Sequence, residues 1–212
     1  MSGISMSRAE SDEITITFDG SKCIHARRCV LGLPEVFKPG TPGGWMFPGN
    51  ARAEEIARVI DACPSGALGY ARHDDGMEEP VPAVNTVRLW ENGPNELRGD
   101  LRIADAPATR VLLCRCGQSK NKPFCDNSHI EVGFTATSEP GTQNAQDAAT
   151  RGVLTITPTA NGPVKIEGPV EVIAASGRQI AVSEKVFLCR CGESQNKPFC
   201  DGSHTKAGFT AP

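Results

Sequence analysis

The nine cysteines fall into three groups of three, and each group has a spacing that could bind metal. In two groups a C-x-C pair is followed nine residues later by a third Cys, and a His stands four residues after that. A C-x-C pair on a tight turn can place two thiolates on one metal, and Cys and His at i and i+4 of a short helix converge on one side. The predicted metal ligands are Cys114, Cys116, Cys125, His129, Cys189, Cys191, Cys200 and His204, together with Cys23, Cys29 and Cys63 in the N-terminal group.

Disulfide bonds and structural zinc are the alternatives at these cysteines. Complete disulfide pairing is impossible with nine cysteines, and a bridge within a C-x-C pair would be strained. The start of the chain lacks an apolar signal core, so we expect a cytoplasmic protein, in which clustered cysteines bind metal more often than they form disulfides. Three Cys and one His also suit structural zinc, and spacing alone leaves zinc and iron–sulfur chemistry open.

An internal repeat contains the two matching groups. Residues 113–134 and 188–209 are identical at 16 of 22 aligned positions, which indicates two copies of one module. Residues 136–152 have almost no large apolar side chains and are predicted to be a linker, and an acidic stretch with prolines at 73–85 forms a second break. The predicted domains are 1–75, 82–136 and 152–212.

Composition limits the class of protein. Gly (22) and Pro (16) are abundant and aromatic residues make up only 5% of the chain, which favours small, loop-rich modules that depend on metal for stability. The net charge of −3 gives no reason to expect a nucleic acid or an anionic membrane as partner. No apolar run approaches the roughly 18 residues of a membrane span.

Hydrophobic patterning places the cysteines on short elements. Residues 14–18 alternate like a half-buried strand, and residues 51–63 have the apolar spacing of a helix, with Asn50 as predicted N-cap and Cys63 at its C-terminal end. In each repeat short strands precede the cysteines, and Asp126 is predicted to cap a short helix that carries the His. The predicted strands are 86–90, 100–104, 110–113, 153–157, 170–174 and 185–188.

Both copies resemble the CDGSH iron–sulfur domain of mitoNEET-type proteins. The second copy carries the motif as Cys189, Cys191, Ser194, Pro198, Cys200, Asp201, Gly202, Ser203 and His204. The first copy matches it except at Asn127, where the family has Gly, and Asn tolerates left-handed backbone better than most residues do. The resemblance implies one 2Fe–2S cluster in each copy, with one iron held by the C-x-C pair and the other by the third Cys and the His.

The N-terminal group resembles a divergent single-cluster ferredoxin. Ordinary bacterial ferredoxins have C-x2-C-x2-C and a distant Cys-Pro, whereas here Ala26 stands at the central position between Cys23 and Cys29, and Cys63 precedes a proline. Three cysteines fit a 3Fe–4S cluster, or a 4Fe–4S cluster with a fourth ligand other than Cys. His25 is adjacent to the missing ligand, and it is either that ligand or a residue outside the coordination sphere.

Six further residues are predicted to surround the two CDGSH clusters. The Arg inside each C-x-C pair lies near the sulfurs, where it would stabilise the reduced state or guide an acidic partner. A Pro-Phe pair in each ligand loop would limit solvent access to the cluster, and a Ser beside each His opens the short helix. These six residues are Arg115, Arg190, Pro123, Pro198, Ser128 and Ser203.

The combined prediction is an α+β protein that is not an enzyme. We expect a small ferredoxin-like domain and two β-rich CDGSH (NEET-like) modules packed as an intramolecular pseudo-dimer, so that the protein is a monomer with an internal pseudo-two-fold axis. Its expected cofactors are two 2Fe–2S clusters and one 3Fe–4S or 4Fe–4S cluster. The expected function is electron transfer with redox partner proteins, and the alternatives are a cluster carrier that serves apo iron–sulfur acceptors and a redox or iron sensor.

Overall fold

The chain folds into two compact units, Met1–Pro80 and Val81–Pro212. The computed structural model describes residues 6–144 and 152–212, so residues 145–151 of the predicted linker lie outside the described residues. The regular structure is mostly β-sheet with short helices. None of the helices in the described ranges has the length and apolar character needed to cross a membrane.

The N-terminal unit is built on an antiparallel sheet in which the second strand lies in the centre. Its elements are β1 (Met6–Glu10), β2 (Ile14–Asp19), α1 (Arg28–Gly32), α2 (Ala53–Asp61) and β3 (Leu68–Arg72), with 3₁₀ turns at Gly20–Lys22 and Pro48–Asn50. The strand predicted at 14–18 is confirmed as β2, whose Ile14 and Ile16 side chains are fully buried. These side chains form part of one apolar core with Val36 and Phe37.

Helix α2 covers the same core with its apolar face. Ile56 and Ile60 are both fully buried, in agreement with the helical spacing of the sequence. The helix ends at Asp61, two residues before Cys63. The predicted position of Cys63 within the helix is therefore wrong, and this cysteine belongs to the loop that follows the helix.

The start of helix α2 also differs from the prediction. The residue at the N-cap position is Arg52, and its N–H donates to a carboxylate oxygen of Glu55 at 3.3 Å. The side-chain amide of Asn50, the predicted cap, donates instead to the carbonyl oxygen of Glu35 at 2.8 Å. The prediction of Asn50 as N-cap is therefore wrong. An Asn side chain that could cap a helix can also form its hydrogen bond with the backbone of a nearby loop.

The second unit contains three strands from each repeat in the described part of the chain. These are β4 (Thr86–Leu89), β5 (Asn95–Ile103), β6 (Ala106–Leu113), β7 (Leu154–Pro158), β8 (Val164–Ile173) and β9 (Gln179–Leu188). Each predicted strand of the repeats overlaps one of them. The second and third strands of each repeat are longer than predicted because tight turns connect them, so that pairing begins close to the turn.

The two repeats share one sheet because their first strands are exchanged. Strand β4 pairs antiparallel with β5 of its own repeat and parallel with β8 of the other, and β7 pairs in the same way with β8 and β5. The registers are equivalent, since Thr86 is opposite Glu171 and Thr155 is opposite Arg102. The sequence predicted short strands in each repeat but not their partners, and the parallel pairing of β4 with β8 and of β7 with β5 joins the two repeats.

A bulge interrupts β5 and β8 at matching positions, and a glycine makes each bulge possible. Gly99 has φ of +152° and Gly168 has φ of +118°. A methyl group on Gly99 would lie 2.0 Å from Oδ1 of Asn85, and one on Gly168 would lie 2.3 Å from the carbonyl oxygen of Val153. Only glycine therefore lets the exchanged strands approach this closely.

Side chains from both repeats form one apolar core. Val87 and Leu97 of the first repeat and Ile166 and Val172 of the second are fully buried in the same cluster. Full burial of such a side chain contributes about 1.5–3 kcal/mol. Separation of the repeats would expose this core, so the two copies fold as one unit.

The segment 136–144, predicted to be part of a linker, contacts the second repeat. The N–H of Val182 donates to the carbonyl oxygen of Asn144 at 2.9 Å. The guanidinium of Arg178 donates to Oγ1 of Thr142 at 2.8 Å and to the carbonyl oxygen of Pro140 at 2.6 Å. These contacts fix the segment along β9, so this part of the connection is not a free linker.

Candidate metal centres

The predicted ligands of both repeats come together in pairs. In the first repeat the Sγ atoms of Cys114 and Cys116 are 3.6 Å apart, as are Sγ of Cys125 and Nδ1 of His129. The matching distances in the second repeat are 3.7 and 3.4 Å. Two ligands on one tetrahedral metal with bonds of about 2.3 Å lie roughly 3.8 Å apart, so each pair has the spacing of two ligands on one metal.

Strand ends and ligand loops position these cysteines. Cys114 follows β6, and its N–H donates to the carbonyl oxygen of Pro123 at 2.8 Å. The N–H of Cys125 donates to the carbonyl oxygen of Leu112 at 2.9 Å, which holds the third cysteine beside the strand end. The second repeat has the same two bonds, and there the carbonyl oxygen of Pro198 accepts the N–H of its first cysteine at 2.8 Å. Pro123 and Pro198 thus support the ligands through their backbone.

The histidines lie on short helices that begin after a left-handed residue. The helices are α3 (Ser128–Glu131) and α4 (Ser203–Lys206). Asn127 and Gly202 occupy the N-cap positions with φ of +71° and +86°, so Asn adopts the left-handed backbone that the family glycine provides. Asp126 is therefore not the N-cap residue, although its carboxylate accepts the N–H of Ser128 at 3.0 Å, as a cap would.

The Asp of each motif joins the ligand loop to the helix. Oδ2 of Asp126 accepts the N–H of Lys120 at 2.8 Å, and Oδ1 accepts the hydroxyl of Ser128 at 2.7 Å. In the second repeat Asp201 accepts the N–H of Gln195 at 2.8 Å and the N–H of Ser203 at 3.0 Å. Burial raises the pKa of Asp126, but its hydrogen bonds outweigh burial and hold that pKa below its usual range. Ser128 and Ser203 therefore act on the site through the aspartates.

Backbone N–H groups point at the sulfur atoms. In the first repeat Cys116 and Cys125 each accept an N–H at 3.5 Å, from Gln118 and Asn127. In the second repeat the sulfurs of Cys191 and Cys200 accept N–H groups at 3.4 and 3.5 Å. Such donors stabilise negative charge on thiolate ligands and on a bound cluster.

The donor set fits a positively charged metal group. A hydrogen bond from Cys116 lowers the pKa of Cys114, and the same bond raises the pKa of Cys116. Burial raises the pKa of Cys125 and of Cys191 to about 11. Most of these buried thiols are therefore held in the neutral form unless a positive charge compensates them, and iron supplies that charge because a metal deprotonates its thiol ligands.

The three cysteines of the N-terminal unit line one cavity of about 450 Å³. Burial raises the pKa of Cys23 and of Cys29, and proximity to Cys63 raises both further. His25 and Ala26 line the same cavity, and the N–H of His25 donates to Sγ of Cys23 at 3.4 Å. The side chain of His25 is exposed, so it lies at the mouth of the cavity.

Comparisons with known families match both units. The family described as "Iron-binding zinc finger CDGSH type" matches residues 92–130 and 161–205, and the family described as "Divergent 4Fe-4S mono-cluster" matches residues 9–73. CDGSH iron-sulfur domain-containing protein 1 of Rattus norvegicus is 30% identical over 82 residues, which cover 74% of that protein and 38% of this chain. The chain belongs to the CDGSH iron–sulfur family. It is an iron–sulfur binding protein with two CDGSH modules and an N-terminal 4Fe–4S-type module.

The chain is also similar to two other proteins. The Mus musculus form of CDGSH iron-sulfur domain-containing protein 1 is also 30% identical over 82 residues and is covered to 74% of its length. Uncharacterized protein YjdI of Escherichia coli (strain K12) is 36% identical over 66 residues, which are 79% of that protein and 29% of this chain. Each relative therefore corresponds to only part of the present chain.

The arginines of the two CDGSH motifs are buried structural residues. Arg115 and Arg190 are each 1% exposed. Nε of Arg115 donates to the carbonyl oxygen of Gly93 at 2.8 Å, and its terminal nitrogens donate to the carbonyl oxygens of Trp90 at 2.5 Å and Thr137 at 3.2 Å. Burial lowers the pKa of Arg115 to about 10. Because neither guanidinium faces solvent, the predicted role in guiding an acidic partner is wrong, and these residues hold the ligand loops.

The two CDGSH sites differ in burial. Cys125 is 4% exposed, whereas the equivalent Cys200 is half-buried. Asn127 is half-buried and its counterpart Gly202 is exposed. Burial lowers the pKa of His129 in the first site. The second site is therefore the more accessible to solvent.

Ser65 contacts the N-terminal cavity but was not singled out in the sequence. It is 4% exposed, and its Oγ lies 3.7 Å from Sγ of Cys63. The same Oγ accepts the N–H of Ala67 at 3.3 Å, so its own proton can be donated to the sulfur. Its only sequence signal was a position two residues after a Cys, which is too common to be informative.

Proposed function

We propose that this CDGSH protein transfers electrons through two 2Fe–2S clusters and one N-terminal cluster of the 3Fe–4S or 4Fe–4S type. The observation that carries the proposal is the pairing of the ligands in each repeat, Cys with Cys and Cys with His, at 3.4–3.7 Å. Each cluster, when bound, accepts and releases one electron. The residues of the chain supply its ligands and limit its movement.

The pairing supports a two-iron cluster rather than structural zinc. A 2Fe–2S cluster has two irons that each take two protein ligands, and every repeat offers two such pairs. A structural zinc ion would need all four ligands around one centre.

The surroundings of the ligands also suit electron transfer. The C-x-C cysteines are buried, at 1–7% exposure, and their loops are fixed by hydrogen bonds from Arg115 and Arg190. Backbone N–H groups directed at the sulfurs stabilise the added negative charge of a reduced cluster. Ligands held in this way need to move little when the charge changes, which favours rapid electron exchange.

Three cysteines around one cavity support a three-ligand cluster in the N-terminal unit. Ala26 lines that cavity at the position where a fourth Cys would be expected. The exposed position of His25 at the cavity mouth leaves a 3Fe–4S cluster, or a 4Fe–4S cluster with a ligand other than Cys, as the proposed group. Ser65 would tune its potential through the hydroxyl beside Cys63.

We further propose that the CDGSH half is an intramolecular pseudo-dimer and that the protein is a monomer. The proposal is supported by the exchange of β4 and β7 and by the equivalent registers of the two exchanged strands. Each repeat fills the place that a second chain would otherwise occupy. A cytoplasmic location is part of this proposal, because clustered cysteines that bind metal are typical of reducing compartments.

A second candidate function is cluster transfer to apo iron–sulfur acceptors. The half-buried Cys200 and the exposed Asp201 and Gly202 favour it, because an acceptor thiolate can approach the second site more easily than the first. Cluster transfer predicts that iron leaves the second site in the presence of an apo-ferredoxin. Electron transfer predicts that the clusters stay bound while a redox partner reduces or oxidises them.

Metal and sulfide analysis of anaerobically purified protein, combined with EPR, tests the proposed clusters. Two two-iron clusters and one three- or four-iron cluster give about seven or eight irons per chain. A colourless protein filled with zinc would overturn the cluster assignment. Incubation with an apo-ferredoxin, followed by separation and iron analysis, then distinguishes cluster transfer from electron transfer.

A further inference from the structure

We infer that the two CDGSH sites are one interlocked binding unit, in which Gly117 and Gly192 each position a cysteine ligand of the opposite site. The inference rests on the proposed function only in taking the C-x-C cysteines as cluster ligands. It concerns how two ligand sets in different repeats affect each other. It therefore adds two positioning residues that are not ligands.

The close approach of the two loops is the observation behind it. Gly117 follows the C-x-C pair of the first repeat and has φ of +80°. A methyl group on Gly117 would lie 2.2 Å from the carbonyl oxygen of Cys191 in the second repeat. Gly192 has φ of +86°, and a methyl group there would lie 2.5 Å from the carbonyl oxygen of Cys116. Each loop thus rests on the backbone of a ligand in the other repeat.

This contact cannot be relieved by a rotating side chain. The atoms nearest to the added methyl group are backbone atoms of Cys191, including its carbonyl carbon at 2.6 Å. Ordinary contacts between heavy atoms are about 3.5 Å, so an Ala at 117 would push the loops apart by on the order of 1 Å. The sulfur of Cys191 is a proposed cluster ligand, so a shift of the Cys191 backbone also moves this ligand.

The rest of each loop is held too firmly to absorb such a shift. The guanidinium of Arg115 bonds the carbonyl oxygens of Gly93 and Trp90, and Arg190 bonds those of Gly162 and Thr159. The first cysteine of each pair is also fixed by its N–H. A displacement in one loop is therefore passed to the other loop. The effect is expected in both directions, because the contact is reciprocal.

The decisive experiment isolates one site and changes the glycine of the other repeat. In a chain with Cys114→Ser, Cys116→Ser and Cys125→Ser, the remaining visible 2Fe–2S signal belongs to the second site. Adding Gly117→Ala to this chain should accelerate loss of that signal to a chelator by about tenfold, as expected for a clash in a packed interior. Gly192→Ala should have the same effect on the first site when the second-site cysteines are replaced by Ser.

Gly133→Ala is the matched control. Gly133 also has positive φ, at +60°, but a methyl group there would meet no atom within 4 Å. This substitution also places an alanine at positive φ in the first repeat, but its methyl group does not touch the second repeat. The second-site signal should then be lost at the rate of the parent chain, and an acceleration equal to that of Gly117→Ala would overturn the inference.

A second measurement covers the case in which the Ser-substituted chains do not fold. With all ligand cysteines retained, hydrogen exchange in the metal-free protein reports the N–H of Glu193, which donates to Sγ of Cys191 at 3.4 Å. Gly117→Ala should accelerate this exchange, whereas Gly133→Ala should not. Unchanged exchange at Glu193 in the Gly117→Ala protein would overturn the inference. A protein that binds no iron at either site would instead overturn the proposed function, so the two failures are distinguishable.

Discussion

Sγ of Cys200 lies 3.4 Å from Nδ1 of His204, and the equivalent atoms of Cys125 and His129 are 3.6 Å apart. One ligand of each proposed cluster is therefore a neutral imidazole rather than an anionic thiolate. A cluster with two imidazoles, as in Rieske centres, has a potential of about −150 to +300 mV, against about −400 mV for an all-Cys plant-type cluster. The charge of this one ligand should set the potential of each site.

We predict that His129→Cys or His204→Cys lowers the midpoint potential of the altered 2Fe–2S site. A thiolate adds negative charge, which disfavours a further electron, and the expected decrease is on the order of 100 mV. A potentiometric titration followed by EPR measures it, and in each single variant only one of the two 2Fe–2S components should shift. His73→Gln is the control, because His73 belongs to the N-terminal unit and bonds Oγ1 of Thr15. An unchanged potential in His204→Cys would exclude His204 as a ligand.

Ala26→Cys should supply the ligand that the N-terminal site lacks. Residue 26 lines the cavity with Cys23, Cys29 and Cys63, and a Cys there restores the ferredoxin spacing. A fourth thiolate holds a fourth iron, so after exposure to air we expect four irons in the N-terminal site of the variant and three in that of the parent protein. EPR and iron analysis before and after oxidation measure the difference. Leu31, which is 69% exposed and does not line the cavity, provides the control as Leu31→Cys, and equal iron content in both variants would contradict the prediction.

Removal of the buried guanidinium from a ligand loop should destabilise the second unit. Arg115→Met leaves the carbonyl oxygens of Gly93, Trp90 and Thr137 without this donor, and unsatisfied buried groups cost about 1–3 kcal/mol each. We therefore expect a loss of about 3 kcal/mol in the free energy of unfolding, measured by denaturant titration. Arg102→Met, at an exposed position of β5, should change it by less than about 0.5 kcal/mol. A similar loss for both variants would contradict the role assigned to Arg115.

Arg178→Ala should release the segment 136–144 from the second repeat. The guanidinium of Arg178 bonds Thr142 and Pro140, and its removal leaves fewer contacts to hold the nearby backbone pairing of Val182 with Asn144. Hydrogen exchange at the N–H of Val182 should become about tenfold faster, as for a local opening. The control is the exposed Arg102→Ala, and protection that is unchanged in Arg178→Ala would mean that the backbone bonds alone fix the segment.

The stability of the N-terminal unit should fall at alkaline pH because of Tyr70. Burial raises the pKa of Tyr70, and so does its hydrogen bond to the carboxylate of Asp61. A folded pKa above the unfolded value of about 10 means that the stabilisation is complete below pH 10 and is lost as the pH rises through the folded pKa. Tyr70→Phe should remove this dependence from denaturant midpoints measured between neutral and alkaline pH. Tyr70 is the single tyrosine of the chain, so ultraviolet titration reports its ionisation directly, and an ordinary pKa would contradict the prediction.

Ligand sets were easier to predict from the sequence than strand partners were. Cys125 and His129 are four residues apart, so local helix geometry brings them together whatever surrounds them. Strand β4 pairs with β8, more than eighty residues further along the chain. Alternation of apolar and polar residues shows which face of a strand is buried but not which strand lies beside it. The expectation that the two repeats pack as a pseudo-dimer came from the family resemblance, and it did not name the strand partners.

Two strands of the N-terminal unit were also missed, for different reasons. Strand β1, with the sequence MSRAE, has no apolar face and owes its conformation to pairing with β2. Strand β3, with the sequence LGYAR, contains a glycine, which weakens the strand signal. The burial of Arg115 could not be predicted either, because the carbonyl groups that accept its hydrogen bonds lie more than twenty residues away in sequence.

The exchange of β4 and β7 within one chain also has an evolutionary consequence. In a symmetric homodimer every mutation alters both sites at once, so the two sites cannot specialise. A duplicated and fused pair is free of this constraint, and the repeats already differ beside their ligands, with Asn127 and the exposed Ile130 in one and Gly202 and Thr205 in the other. Selection can therefore change the residues beside one cluster and leave those beside the other as they are, except at Gly117 and Gly192, where the two loops touch.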